Sequence, residues 1–296
     1  MPTRFALCTS LTIVLLAAPA SALAADVVAP SSVVGSTTVP AGGSSTLTLR
    51  CPPTAVALNA ALTRLGDGVE ARSIPGAGEN DWRFRLSAFH GPTRRQRQVR
   101  AVLRCVRLEV PTGVSGVRLL VSTRRPPGVR IQGGSTASLA VRCARGFIPT
   151  GYGLDLQPGR DLTAAEAMPT ARGWDFEIES LGGPSGRARA NVRCLKASVG
   201  ARRDGTATQL RFHVARRVFS DSVGPRPGRN GVVTHSCARN QFSVATGHTV
   251  DQPDDISVTS GGPAGLRAGR WTFRAADTTD VMTNFLLCLN RHTQFG

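Results

Sequence analysis

The chain has 296 residues, with 36 Lys+Arg against 19 Asp+Glu and a formal net charge of +17. A hydrophobic content of 41% excludes wholesale disorder, and 32 Gly and 19 Pro interrupting every long segment exclude a coiled coil or helical bundle. The only lysine is Lys196, so the positive charge is almost wholly arginine.

The first segment in chain order, residues 1–24, reads as a secretory signal. Arg4 gives a positive start, an apolar stretch through Leu11, Ile13, Val14, Leu15 and Leu16 runs to Ala18, and Ala22-Leu23-Ala24 is a small-x-small cleavage site. That stretch is short of the ~20 apolar residues a membrane span needs. Cys8 precedes it and leaves with the leader, and no later segment is apolar enough to span a bilayer. Export into an oxidising compartment makes the remaining cysteines, Cys51, Cys105, Cys143, Cys194, Cys237 and Cys288, candidates for disulfides, with fifteen formal pairings.

An internal repeat chooses among the pairings. The cysteines fall into pairs 54, 51 and 51 residues apart, and the first members recur at intervals of 92 and 94. Between the members of each pair lies one Trp-x-Phe: Trp82-Arg83-Phe84, Trp174-Asp175-Phe176 and Trp271-Thr272-Phe273, holding all three tryptophans of the chain. The mature chain therefore divides into 25–112, 113–205 and 206–296, with no segment left for a separate catalytic domain.

Within each unit the apolar residues alternate, the period of a β-strand. In the first, Leu47/Leu49/Cys51, Trp82/Phe84/Leu86 and Val99/Ala101/Leu103/Cys105 each share a face. The second repeats this with Leu139/Val141/Cys143, Trp174/Phe176/Ile178 and Ala188/Ala190/Val192/Cys194. Leu210-Arg211-Phe212-His213-Val214 opens the third, as Val117-Arg118-Leu119-Leu120-Val121 opens the second. Turn residues separate the runs, among them Pro52-Pro53, Gly66-Asp67-Gly68, Pro158-Gly159, Gly182-Gly183-Pro184 and Gly261-Gly262-Pro263. The predicted fold is all-β: three tandem small antiparallel β-sandwich domains, each with one disulfide. Units of about ninety residues have thin cores, and a bridge closing about fifty residues adds about 4 kcal/mol in the chain-entropy picture. The expected bridges are Cys51–Cys105, Cys143–Cys194 and Cys237–Cys288, with each tryptophan packed over its bridge rather than exposed as a sugar-stacking platform.

The motif order resembles secreted bacterial proteins built from tandem Cys-bounded, Trp-containing β repeats. The second unit carries the resemblance best, in Cys143-Ala144-Arg145-Gly146-Phe147, Gly151-Tyr152-Gly153-Leu154-Asp155, Gly173-Trp174-Asp175-Phe176 and Val192-Arg193-Cys194. The first unit has Leu58-Asn59-Ala60-Ala61-Leu62 where the middle glycines stand, and the third keeps only Gly247 there. The resemblance implies an exported repeat protein and brings no activity with it. An immunoglobulin analogy fails on the tryptophan: Trp174 lies nearer the second cysteine of its pair than the first.

Chemistry-bearing motifs are sparse. His235, Asp251 and Ser260 occur in the order of a chymotrypsin-like triad, but within 25 residues, whereas that triad is assembled from distant segments. His235 reads instead as a hydrogen-bonded core histidine. Asp251, Asp254 and Asp255 lack the spacing of a calcium loop, and bridged cysteines cannot ligate zinc, so neither a metal nor a cofactor is expected. Asp175, Glu177 and Glu179 are expected to form cross-strand ion pairs with Arg189 and Arg193 if the two strands are neighbours.

Charge is the remaining signal. Loss of Arg4 with the leader leaves +16, divided as +5, +7 and +4 over the three units. The candidate anion-binding residues are Arg83, Arg85, Arg94, Arg95, Arg97, Arg100 and Arg104 in the first unit, Arg118, Arg124 and Arg125 opening the second, and Arg202, Arg203, Arg211, Arg216 and Arg217 around the start of the third. They point to a secreted, non-catalytic protein that binds an acidic polysaccharide or other polyanion. Nucleic acid would be held only nonspecifically, because stacking aromatics are few. The competing readings are coding bias toward arginine, a carbohydrate-binding array using Tyr152, and, least favoured, a hydrolase.

Overall fold

The computed structural model describes residues 28–65, 68–88, 97–109, 114–203, 205–223, 230–250, 256–275, 280–291 and 294–295. The segment 1–24 expected to be a secretory leader, Arg94 and Arg95, and Asp251, Asp254 and Asp255 lie outside the described residues. Every helix or strand among the described residues is a strand. The first unit contributes β1 (Val28–Val39), β2 (Ser44–Arg50), β3 (Val56–Arg64), β4 (Val69–Pro75), β5 (Asp81–Ala88) and β6 (Arg97–Leu108). After β7 (Val114–Ser115) come β8 (Val121–Arg124), β9 (Val129–Ile131), β10 (Thr136–Arg142), β11 (Phe147–Leu156), β12 (Leu162–Thr170), β13 (Gly173–Ser180) and β14 (Gly186–Lys196). A hairpin, β15 (Ser198–Arg203) and β16 (Thr206–Arg211), leads to β17 (Val214–Val223), β18 (Asn230–Ser236), β19 (Gln241–Val250), β20 (Ile256–Ala264), β21 (Ala268–Ala275), β22 (Asp280–Asn290) and β23 (Gln294–Phe295).

The same strand order occurs three times. One sheet runs β1-β6-β3, β8-β14-β11 and β17-β22-β19, and the other runs β2-β5-β4, β10-β13-β12 and β18-β21-β20. The bridges are Cys51–Cys105, Cys143–Cys194 and Cys237–Cys288, tying the ends of β2, β10 and β18 to β6, β14 and β22 respectively. Trp82, Trp174 and Trp271 are fully buried, each in the same apolar cluster as its bridge. Alternation dictates this: on β5, Trp82, Phe84 and Leu86 are buried while Arg83 and Arg85 between them are exposed. The division after residue 205 falls in the turn of the β15–β16 hairpin, which pairs with β7 and β23 in a small sheet of its own.

The units close on one another in a ring. β11 of the second packs on β4 of the first, β3 of the first on β20 of the third, and β19 of the third on β12 of the second. These are equivalent strands in a cyclic order. At the last seam the backbones hydrogen-bond, Glu166 opposite Thr249 and Ala167 opposite His248, fusing two sheets into one of six strands. The approach needs small residues. A Cβ on Gly153 would stand 2.2 Å from Ser73 O, one on Gly247 2.1 Å from Ala167 O, and one on Gly262 1.9 Å from the Ala61 Cβ. The alanine at position 61 of the first unit, where the others have glycine, is thus met by a glycine on the facing strand.

The inner strands β3, β11 and β19 each carry a bulge at one matching position, leaving Leu58, Thr150 and Val244 out of the ladder. All three are completely buried where the strands converge, and Thr150 Oγ1 donates to Arg193 O at 3.2 Å. Because neighbours cover their outer faces, Ala101–Val106 of β6 and Ala190–Leu195 of β14 are buried on both sides.

Candidate anion-binding clefts at the unit seams

The ring decides which arginines reach solvent. Arg104 corrects the sequence reading: it is fully buried, not part of a surface. Its Nη1 donates to Ser32 Oγ at 2.9 Å, and its Nη2 donates to Gly265 O and to Ser243 Oγ of the third unit. Arg193, at the matching place before Cys194, enters the first unit in the same way. Its Nη1 donates to Gly78 O at 3.1 Å and its Nη2 to Asp81 O at 3.2 Å, with the guanidinium carbon 5.7 Å from the centre of the Trp82 ring. Burial lowers both guanidinium groups to about 10. The third unit has Leu287 there, buried in the apolar cluster shared with the second. These two arginines are pegs between units. The condition for cross-strand pairing of Asp175, Glu177 and Glu179 with Arg189 and Arg193 is not met, because β13 and β14 lie in different sheets; Asp175 pairs instead with Arg142 at 2.5 Å.

Further predicted residues are occupied in holding units together. Arg118 forms an ion pair with Glu79 at 2.9 Å. Arg125 Nη2 donates to Pro75 O and Gly76 O at 2.6 and 2.8 Å, and Arg216 Nη1 donates to Pro169 O at 3.0 Å. Pro75 and Pro169 each stand opposite the tryptophan of their unit, so the two clips engage equivalent acceptors from donors at different positions. Arg97 donates to Gly68 O. Arg83, Arg124 and Arg217 are exposed on separate strands, while Arg202 and Arg211 lie in the β15–β16 hairpin, exposed. Arg203 pairs through its backbone with Thr206 and Val114.

The structure collects the remaining predicted arginines, with others that sequence reasoning missed, into two clefts. One, of about 670 Å³ at the seam of the first and second units, is lined by Arg72, Arg85, Arg187 and Arg189, with Asp155 its sole carboxylate among the described residues. Arg72 Nε is paired with Asp155, and Arg85 stands directly across the ladder from Arg72. The other, of about 660 Å³ at the seam of the first and third units, is lined by Arg64, Arg100 and Arg270, with no carboxylate among the described residues. Arg64 and Arg100 are cross-strand neighbours. Among the described residues, the guanidinium groups of Arg64, Arg85, Arg100, Arg189 and Arg270 carry no hydrogen bond or ion pair. Counted over the described residues, each cleft therefore holds an excess of about three positive charges, a placement that costs self-repulsion unless an anion enters.

The clefts are equivalent positions of the ring. Arg100 and Arg189 each lie five residues before the closing cysteine of their unit, a correspondence that aligning the repeats would have exposed. The third seam has the opposite character. Thr283 takes the arginine's place, and Glu166 stands opposite Glu177. Burial, then Glu177 and Asp175, raise the Glu166 carboxyl above its usual range. Among the described residues the exposed arginines therefore do not line one continuous face; some gather at two seams and the rest are scattered over separate strands.

Tyr152 is not a free platform, its ring lying 4.5 Å from Trp174 and 5.2 Å from Phe176 between centroids. His235 bonds to Asp221 Oδ2 at 2.7 Å and stacks on Phe219, as a core histidine would. Three buried disulfides fit an oxidising, extracytoplasmic environment. Among the described residues no helix is long and apolar enough to cross a membrane. The chain matches no family model, and no curated protein is significantly similar to it.

Proposed function

We propose that this chain is an exported, non-catalytic protein that binds acidic polymers, an acidic polysaccharide above all, through its two arginine clefts. The repeats serve as a rigid frame, and the seams between them are the binding surface. The observation that carries this reading is the pair of equivalent clefts, each with three or more exposed arginines and at most one carboxylate among the described residues. Coding bias would spread arginines over solvent, and it supplies no reason for unpaired ones to gather at two matching seams. Guanidinium groups suit sulfate, carboxylate and phosphate because their planar fork donates in pairs.

The test compares two variants with equal charge loss. In the first, Arg85, Arg100, Arg187 and Arg189 become Gln; in the second, the exposed Arg83, Arg124, Arg211 and Arg217 do. On immobilised heparin the cleft variant should elute at clearly lower salt than the second. The slope of log affinity against log salt should become shallower by about one for each arginine that no longer holds an anionic group. Equal elution of the two variants would overturn the reading and leave bulk charge as the explanation.

A further inference from the structure

A third cavity, of about 410 Å³, lies where all three units meet. Its wall repeats like the ring itself. Ala60, Tyr152 and Thr246 occupy one matching position on β3, β11 and β19, each opposite the residue two before the closing cysteine. Leu62, Leu154 and His248 occupy the next inward-facing position, and all six line the cavity. The volume is within the range of small-molecule sites.

Its charge is opposite in sign to the net charge of the protein. The described lining contains no arginine or lysine, yet it holds two carboxylates, Glu70 from the first unit and Asp161 from the second. Glu70 accepts from Gly159 N at 3.0 Å, and no cation pairs with it among the described residues. Burial, with Asp161 nearby, raises the Glu70 carboxyl, the mark of a negative charge short of partners. His248 Nε2 donates to Ala164 O at 3.1 Å, and burial lowers its imidazole to about 4, so near neutral pH it brings no compensating charge. One polar atom on the wall is also unsatisfied: Thr246 is 2% exposed, and its Oγ1 has no hydrogen-bond partner among the described residues. A buried hydroxyl without a partner costs free energy that a ligand group would recover.

We infer that this cavity binds a small amphiphilic amine, with its apolar body between Leu62, Leu154 and Tyr152 and its ammonium group on Glu70 and Asp161. A net positive protein repels amines in bulk solution, so any preference for one must come from a local cluster of carboxylates, and Glu70→Gln separates this pair from the acidic third seam. The cavity adjoins the arginine clefts, sharing Leu62 and Ser260 with one and Gln157 with the other, but it contains none of their arginines and does not depend on the anion-binding reading.

The probes are 4-phenylbutylamine, 4-phenylbutanol and 4-phenylbutyrate, which share a skeleton and differ in charge. Binding is followed by calorimetry and by the fluorescence of Tyr152 and the neighbouring Trp174. The amine is expected to bind at least tenfold more tightly than the alcohol, and the carboxylate more weakly than either. Glu70→Gln should bring the amine down to the affinity of the alcohol while leaving the alcohol unchanged. The inference is overturned if none of the three binds at millimolar concentration, if the carboxylate matches the amine, or if the amine keeps its advantage in Glu70→Gln. Saturating heparin should leave binding of the uncharged alcohol intact; its displacement would place the skeleton in the clefts and also overturn the inference.

Discussion

Gly153 tests whether the ring is a packed object or three loosely strung units. Its Cβ, if added, would stand 2.2 Å from Ser73 O and 3.0 Å from the Pro75 Cδ. Ordinary carbon–oxygen contact is more than 3 Å, so Gly153→Ala must push β11 and β4 apart by about 1 Å. Both contacts are with backbone or a proline ring, which cannot swing away as a flexible side chain would. Overpacking of this kind costs about 1–3 kcal/mol. The displacement also strains the neighbouring Arg125 and Arg193 bonds to carbonyls of the first unit, which places the cost toward the upper end. For a cooperative unit of about ninety residues, 2 kcal/mol lowers Tm by ~8–16 °C, and for the whole ring unfolding together by ~4–8 °C. The control is Gly200→Ala on β15, where an added Cβ meets nothing within 4 Å and the backbone is not left-handed. It should leave Tm unchanged or raise it slightly, since alanine restricts the unfolded chain. Thermal unfolding followed by near-ultraviolet circular dichroism measures both. A Gly153→Ala protein that melts with the wild type, or a shift of equal size in Gly200→Ala, would refute the tight seam.

Replacing Cys143 and Cys194 together by Ala should cost about 4 kcal/mol, seen as a lower denaturation midpoint in urea. Mass mapping of the non-reduced chain checks the pairing at the same time. His248 predicts an acid limb: burial lowers its imidazole to about 4, so the folded state binds fewer protons than the unfolded state between about 4 and 6.5. Stability therefore rises with pH across that window, and a drop from pH 7 to 4.5 should remove about 2–3 kcal/mol. His248→Gln should lose that part of the pH dependence in urea titrations at the two pH values. An unchanged acid limb would mean that His248 is not held neutral.

Much of the frame is written in the chain itself. Strand faces such as Trp82/Phe84/Leu86 follow from alternation, because successive side chains of a strand point to opposite sides. The three bridges follow from the spacing of the cysteines, because a repeated unit must close in the same way each time. What alternation cannot say is what covers the second face. Arg104 and Arg193 fall on the face opposite the core, which reads as solvent in an isolated sandwich. In the ring that face is the inside of a neighbouring unit, so both arginines are buried pegs. Arg64, Arg72 and Arg270, far apart in sequence and part of no pattern there, gain meaning only from seams that bring separate strands within reach of one anion. Local periodicity is set by the backbone and so can be read along one chain. The clefts, the pegs and the central cavity come from long-range packing, where glycines set how closely the units approach, and only the tertiary structure decides them.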